Sequence, residues 1–137
     1  MTAGGLLRLR APLALWTPVV AYMALIFYLS SLAQPPLPEG VSDKSGHVFG
    51  YLGLGILAAR AVAGGLPARI TVRLALTAVT IAVGYGATDE VHQMFVAGRS
   101  AELYDLYADA TGACIGVAGC WAWGIISLRS ASAERSP

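Results

Sequence analysis

The side chains of this sequence that could do chemistry cluster in two short stretches beside long apolar runs. The first stretch contains Asp43, Lys44, His47 and Tyr51. The second spans residues 86–113, and its candidate groups are Asp89, Glu90, Gln93, Arg99, Asp105 and Asp109. Carboxylates beside a histidine can move protons or bind zinc, and arginine and lysine bind phosphate or carboxylate. The clustering therefore predicts one polar site built from both stretches.

Helical spacing places the first group on a shared face. Ser42 is a good N-cap, so a helix is expected to begin directly after it. At about 100° per residue, Asp43, Lys44, His47 and Tyr51 then lie within an arc of roughly 100° over the first two turns. We expect these four side chains to contribute to the same site.

The second stretch combines acidic groups with small residues. Asp105, Asp109, Gly112 and Gly116 are spaced four, three and four apart, so they share one helix face. Similar small-residue spacing occurs beside the first polar face, at Gly46, Gly50 and Gly53. Such spacing lets membrane helices approach closely, either within one chain or between copies of a homo-oligomer.

Composition indicates a membrane protein of one domain. Of 137 residues, 56% are hydrophobic and 12% are charged, whereas soluble domains average about 25% charged residues. A net charge of +1 argues against a nucleic-acid surface. Cys114 and Cys120 lie about 120° apart around a helix, which is a poor arrangement for a disulfide, so we interpret them as apolar helix residues.

The apolar runs predict an all-α, four-transmembrane-helix bundle. The helices are expected at about residues 12–32, 43–63, 70–93 and 102–128, with a polar tail at 129–137. Charge on the connections predicts the orientation, because cytoplasmic loops are enriched in lysine and arginine. Seven cations fall on one side, namely Arg8, Arg10, Arg60, Arg69, Arg73, Arg129 and Arg135, and only Lys44 and Arg99 on the other. Both termini are thus predicted to be cytoplasmic and the polar site extracytoplasmic.

A cleavable signal peptide is the competing interpretation of the first helix. Arg8 and Arg10 precede its apolar core, and "SLA" at 31–33 has small residues at a cleavage spacing. The core is longer than the usual apolar region of about 7 to 15 residues, which favours a retained helix.

Two blocks of this sequence resemble the signatures of VanZ-like membrane proteins. They are "DKSGHVFGYLGLGIL" at 43–57 and "GYGATDEVHQMFVAGRSAELYDLYADATGACIG" at 84–116. Both follow the family's patterns D-K-x-x-H-x-x-x-Y, D-E-x-x-Q-x-F-x-x-x-R and D-x-x-x-(N or D)-x-x-G, and the resemblance covers roughly residues 13–128. It implies a multi-pass protein of the bacterial cell membrane, from a family whose founder is associated with resistance to the glycopeptide teicoplanin.

The sequence departs from the family's pattern at two positions. Ala97 stands where proline is common before the Gly-Arg pair, and Asp109 stands where many members have asparagine. Some relatives carry an acyltransferase-like label, which we do not transfer because this sequence has no motif for coenzyme A or for cradling a phosphate. No cofactor is expected.

Three functions remain open at this point. The charges can form an ion-paired plug that fixes helix packing in a structural or assembly protein. Alternatively, Lys44, Arg99 and His47 recognise an anionic lipid or a lipid-linked envelope precursor in the bilayer. In this binding hypothesis the surplus of acids also leaves a bound cation or metal open.

The third hypothesis is catalysis. Asp89 or Glu90 would act as a general base, with His47 as an acid or metal ligand and Arg99 stabilising negative charge. His92 lies on a different flank from Gln93, and we interpret it as a hydrogen-bonded histidine near the membrane interface. Arg99 is predicted to pair with Asp105 or Asp109, and Lys44 and the histidines with the remaining acids.

Overall fold

The computed structural model describes the backbone of residues 3–133 and side chains from residue 12 onward. Within this range it has four helices and no strand: α1 (Ala3–Ser30), α2 (Asp43–Val62), α3 (Val72–Gln93) and α4 (Leu103–Ala133). The predicted all-α class is confirmed. The side chains of Arg8 and Arg10, and residues 134–137 of the predicted tail, lie outside the described part.

The helix ends follow local signals. The Ser42 hydroxyl accepts a hydrogen bond from the Ser45 backbone N–H at 3.2 Å, and Thr71 caps α3 in the same way. Pro12 and Pro18 both lie inside α1. At its far end α4 continues to Ala133, past the predicted end at 128. Four helices joined by short loops alternate in direction, which brings the end of α1, the start of α2, the end of α3 and the start of α4 together.

Glycines on α4 allow it to pack closely against α2. A Cβ atom at Gly112 would overlap the backbone carbonyl of Val48, and one at Gly116 would overlap that of Leu52. On the facing helix, a Cβ at Gly55 would lie 2.6 Å from the carbonyl oxygen of Ala113. The predicted close-packing face of α4 is therefore confirmed.

The predicted close-packing face of α2 is confirmed only at Gly53, where a Cβ would lie 2.5 Å from the Tyr22 hydroxyl of α1. Gly50 has open space where its Cβ would be, Gly46 faces the Leu37 side chain, and Gly53 faces the hydroxyl of Tyr22. Spacing groups these glycines on one side of α2, but it does not determine which neighbour covers that side. In the folded chain α4 packs on a different face of α2.

Much of the outer surface is apolar. Leu13, Val20, Leu76 and Ile126 are each more than 60% exposed. Two helical segments, Pro12–Ser30 and Leu103–Ala133, are long and apolar enough to cross a membrane by length and composition. Cys114 and Cys120 are both free, as expected.

Candidate functional site

The polar residues of both sequence stretches meet at one end of the bundle. Every buried polar or charged side chain within residues 12–133 lies there: Ser30, Asp89, Glu90, Gln93, Asp105 and Asp109. Together with Asp43, Lys44, His47, Tyr51, Arg99 and Glu102, we call this set the polar cluster. Its members come from all four helices and from the loop between α3 and α4.

His47 connects α2 to α4. Its Nδ1 lies 2.9 Å from Oδ1 of Asp109, which is completely buried, and its Nε2 lies 3.9 Å from Oδ2 of Asp43. The expected pairing of a histidine with one of the acids is confirmed. Because a hydrogen bond to a carboxylate orients an imidazole, Asp109 fixes the ring of His47 between the two helices.

The predicted partners of Arg99 are wrong. Its guanidinium donates to Oδ2 of Asp43 at 3.3 Å, and not to Asp105 or Asp109. Lys44 binds Asp105 from α2, at 3.1 Å from Nζ to Oδ1. Both predicted acceptors are thus already engaged by α2, Asp105 by Lys44 and Asp109 by His47. The same Lys44 ammonium also reaches Oε2 of Glu102 at 3.1 Å, a contact that the sequence interpretation missed.

Asp89 joins α3 to α1. The Ser30 hydroxyl donates to its Oδ1 at 2.5 Å, and the Gln93 amide donates to its Oδ2 at 3.2 Å. Both oxygens of this buried carboxylate therefore have donors. The role of Ser30 was also missed. The only signal in the sequence is a pair of hydroxyl residues ending an otherwise apolar helix.

Four polar atoms in the polar cluster are buried without a hydrogen-bond partner. They are the Tyr51 hydroxyl, Oε1 of Glu90, Oε1 of Gln93 and Oδ2 of Asp109. The second oxygen of Glu90 accepts from the backbone N–H of Glu102 at 2.9 Å. Native proteins leave few such atoms unpartnered, because each costs about 1–3 kcal/mol. Their concentration here makes the polar cluster the candidate site of the bundle.

His92 lies apart from the polar cluster. Its Nε2 is 2.9 Å from the Ser31 hydroxyl, and its ring stacks on Phe27 with centroids 4.1 Å apart. The expectation of a hydrogen-bonded histidine is confirmed, but the predicted pairing of this histidine with an acid is wrong, because its partner is a hydroxyl.

An open cavity of about 110 Å³ lies between the end of α1 and the start of α2. One wall is apolar and is formed by Ile26, Leu29, Pro35 and Leu37. The other wall carries six of the predicted site residues: Asp43, His47, Tyr51, Asp89, Gln93 and Arg99. The remaining four, Lys44, Glu90, Asp105 and Asp109, lie outside the cavity lining.

Two sets of side chains have ligand atoms close enough to share a metal ion. One is Asp43, His47 and Asp105, and the other is His47, Glu90 and Asp109, with ligand atoms within 4.8 Å of one another in each set. In the first set both acids already face cations, Arg99 and Lys44. In the second set, no lysine or arginine within the described side chains forms an ion pair with either acid.

Comparison with known proteins gives one match. The sequence model of the VanZ/LLP1 family matches residues 13–126, which is most of the chain. No curated protein and no solved structure matches.

Proposed function

Since the chain belongs to the VanZ/LLP1 family, we propose that it is a four-span protein of the bacterial cell membrane that binds an anionic headgroup. The ligand is an envelope lipid or a lipid-linked envelope precursor. Its headgroup meets Arg99 and His47, and its first carbons lie on the apolar wall. By recognising such a precursor the protein lowers sensitivity to a glycopeptide such as teicoplanin.

The distribution of aromatic residues and cations supports the four-span orientation. Exposed Phe95, Tyr104 and Tyr107 surround the polar end, and Trp121 and Trp123 lie further along α4. Aromatic belts mark the two membrane interfaces. At 1.5 Å per residue, Tyr107 and Trp123 are about 24 Å apart along α4, close to the thickness of the hydrocarbon layer.

The positions of the arginines indicate which end of the bundle faces the cytoplasm. Arg60, Arg69, Arg73 and Arg129 lie at the end of the bundle opposite the polar cluster. Cytoplasmic connections carry such an excess of cations, so this end is assigned to the cytoplasm and the cavity to the outer leaflet. Under this topology the cavity opens where envelope precursors are displayed.

The observation that carries the binding proposal is the two-sided lining of the cavity. A lipid headgroup and its first methylene groups need a cation beside an apolar surface, and Arg99 lines this space together with Ile26 and Leu37. Arg99 is only 9% exposed in its side chain, yet within the described residues it donates one hydrogen bond, at 3.3 Å. A guanidinium has five N–H donors in a planar fork, so further donors can bind a phosphate.

Lipid binding by matched variants tests the proposal. Wild type, Arg99→Gln and Arg73→Gln are purified in detergent and titrated with undecaprenyl phosphate, with phosphatidylethanolamine as the zwitterionic comparison, and occupancy is read by native mass spectrometry. Truncating a charged partner typically costs 2–5 kcal/mol, so Arg99→Gln should lower affinity for the phosphate at least about tenfold. Arg73 is exposed at the opposite end, and its variant should bind like wild type. Equal binding by all three proteins contradicts the proposal.

A structural role is the second candidate, and one set of contacts favours it. Ser30 and Asp89 join α1 to α3, and Lys44 joins α2 to α4. If the cluster serves packing alone, Arg99→Gln and His47→Gln should lower the melting temperature in proportion to any loss of teicoplanin resistance. If it binds a ligand, a host strain carrying either variant should lose resistance while membrane abundance and melting temperature stay near wild type.

Catalysis would place Glu90 ahead of Asp89 as the general base. Asp89 already receives two side-chain hydrogen bonds, whereas Oε1 of Glu90 has none within the described residues. A catalytic protein incubated with envelope lipid extract must change the mass of some lipid, and Glu90→Gln must abolish that change.

A further inference from the structure

The acids of the polar cluster outnumber its cations. Six carboxylates, those of Asp43, Asp89, Glu90, Glu102, Asp105 and Asp109, face two basic side chains, Lys44 and Arg99. Both cations are used at the rim, by Asp43, Glu102 and Asp105. Deeper in the cluster, Asp89 is satisfied by neutral donors. Glu90 and Asp109 have no lysine or arginine partner among the described residues, and the basic side chain that contacts Asp109 is His47.

Two of the unpartnered atoms belong to these same two residues. Oδ2 of Asp109 and Oε1 of Glu90 are buried and accept no hydrogen bond, and Asp109 is 0% exposed. A buried charge that is unpaired is expensive, so such acids are normally paired or coordinate a metal. His47, whose imidazole already contacts Asp109 at 2.9 Å, adds a nitrogen ligand to the two carboxylates.

We propose that His47, Glu90 and Asp109 form a binding site for a divalent transition-metal ion, with Zn²⁺ as the best fit. One imidazole and two carboxylates are ligands that Zn²⁺ accepts. Ligand atoms around one Zn²⁺ at about 2.0–2.2 Å lie roughly 3–4 Å apart. The three residues offer atoms within 4.8 Å of one another, which is close to this spacing.

The other set, Asp43, His47 and Asp105, does not carry the same inference. Its acids face Arg99 and Lys44, so two cations already occupy the place that a metal would take. The choice between the sets therefore rests on which acids lack a cation. That makes Asp43 the natural control for Asp109.

The metal site goes beyond the lipid-binding proposal and shares only His47 with it. Glu90 and Asp109 do not line the cavity that contains Arg99. Four-coordinate Zn²⁺ with three protein ligands keeps one open position. The buried Tyr51 hydroxyl, which has no hydrogen-bond partner among the described residues, also belongs to the polar cluster and can bond to a water on the ion.

Metal titration of matched variants tests the site. Detergent-purified full-length wild type, Asp109→Asn, Glu90→Gln and Asp43→Asn are stripped with EDTA and titrated with Zn²⁺ by isothermal calorimetry, and retained metal is counted by elemental analysis after desalting. Wild type should retain one Zn²⁺ per chain. Because even outer contacts of metal sites are worth about 10- to 100-fold in affinity, losing a ligand at position 90 or 109 should cost roughly 100-fold or more. Asp43 lies 3.9 Å from Nε2 of His47 as an outer contact, so Asp43→Asn should lose only about tenfold, clearly less than the two ligand variants.

Two results overturn the proposal. One is a wild type that retains no more Zn²⁺ than Asp109→Asn, and the other is an equal loss of affinity in Asp43→Asn. In case a variant fails to fold, wild type alone is loaded with Co²⁺, whose visible absorption at one equivalent must show a low-coordinate site. A spectrum identical to that of hydrated Co²⁺ also rejects the site.

The lipid titration and the metal titration are decided by different variants. Arg99→Gln should bind Zn²⁺ like wild type while losing undecaprenyl phosphate. Asp109→Asn should lose Zn²⁺, whatever the outcome of the lipid titration. A failed lipid experiment therefore leaves the metal experiment decisive, and the reverse also holds.

Discussion

At the end of the bundle near Arg69, the helices meet through small apolar side chains, whereas at the opposite end they meet through charges and a cavity. The first end buries Ala58, Ala59, Ile70, Ala78, Val117 and Cys120. The second end holds every buried polar side chain within residues 12–133 and all four unpartnered buried polar atoms of that range. One bundle therefore contains two kinds of interior.

The difference shows that the polar end is the less stable part of the interior, because its unpartnered polar atoms have an energetic cost. Close-packed alanines need no partner, but each unpartnered polar atom costs about 1–3 kcal/mol. Strain of this kind typically occurs where a function requires it, because proteins depart from local rules at functional sites. The polar end is therefore the part of the molecule to test for ligands, and the apolar end supplies matched controls.

Gly112→Ala should produce the largest loss of stability, because Gly112 lies where α4 packs directly on α2. The new Cβ would overlap the Val48 carbonyl, which is backbone and cannot rotate away, so α2 and α4 must separate. Overpacking of this kind costs about 3 kcal/mol. We expect a clear drop in the melting temperature in detergent. Gly84→Ala, which places its methyl in open space on α3, should be neutral or slightly stabilising. Similar melting temperatures for the two variants would refute the close packing of α2 on α4 at Gly112.

Ser30→Ala should have the next largest effect, by leaving Oδ1 of Asp89 without its 2.5 Å donor. A hydrogen bond to a carboxylate contributes about 1.5–3 kcal/mol. Ser130→Ala is the control, because that exposed hydroxyl donates only to the Ile126 carbonyl, at 3.2 Å. The same thermal unfolding measurement should show a drop for Ser30→Ala alone. A drop of the same size in both variants would mean that the two ends do not differ in polar burial.

Helix periodicity was enough to predict which residues share the polar site. His47 and Asp109, and Lys44 and Asp105, meet because they lie in the first turns of α2 and α4, two parallel helices that both begin at the polar end, where spacing determines direction. The four-helix architecture also followed from the alternation of apolar runs and breaks. Shared helix faces and the number of helices both depend on regular secondary structure, which can be predicted from residue spacing.

Contacts made by irregular segments could not be predicted in the same way. Arg99 follows Gly98, whose φ of +82° is open mainly to glycine, and such a turn sets a direction that periodicity does not describe. Ser30 was overlooked because its partner is 59 residues away and one hydroxyl in an apolar helix carries no pattern. The neighbour of the α2 glycine face could not be predicted either, because spacing identifies a face but not the element that covers it.

Gly50→Ala should cause the smallest change in stability, and it tests the polar end of the bundle through its cavity. Gly50 lines the cavity, and nothing lies within 4 Å of the position where its Cβ would be. Alanine favours helix over glycine by about 0.5–1 kcal/mol, so the variant should melt slightly higher than wild type. Gly119→Ala on α4 also adds a methyl in open space, outside this cavity, and should give the same gain.

The two variants should differ in ligand binding. A methyl inside a cavity of about 110 Å³ takes space from a headgroup, so Gly50→Ala should weaken undecaprenyl phosphate binding several-fold in the native mass spectrometry titration, while Gly119→Ala should not. Equal binding by the two variants would show that the ligand does not occupy the space beside Gly50.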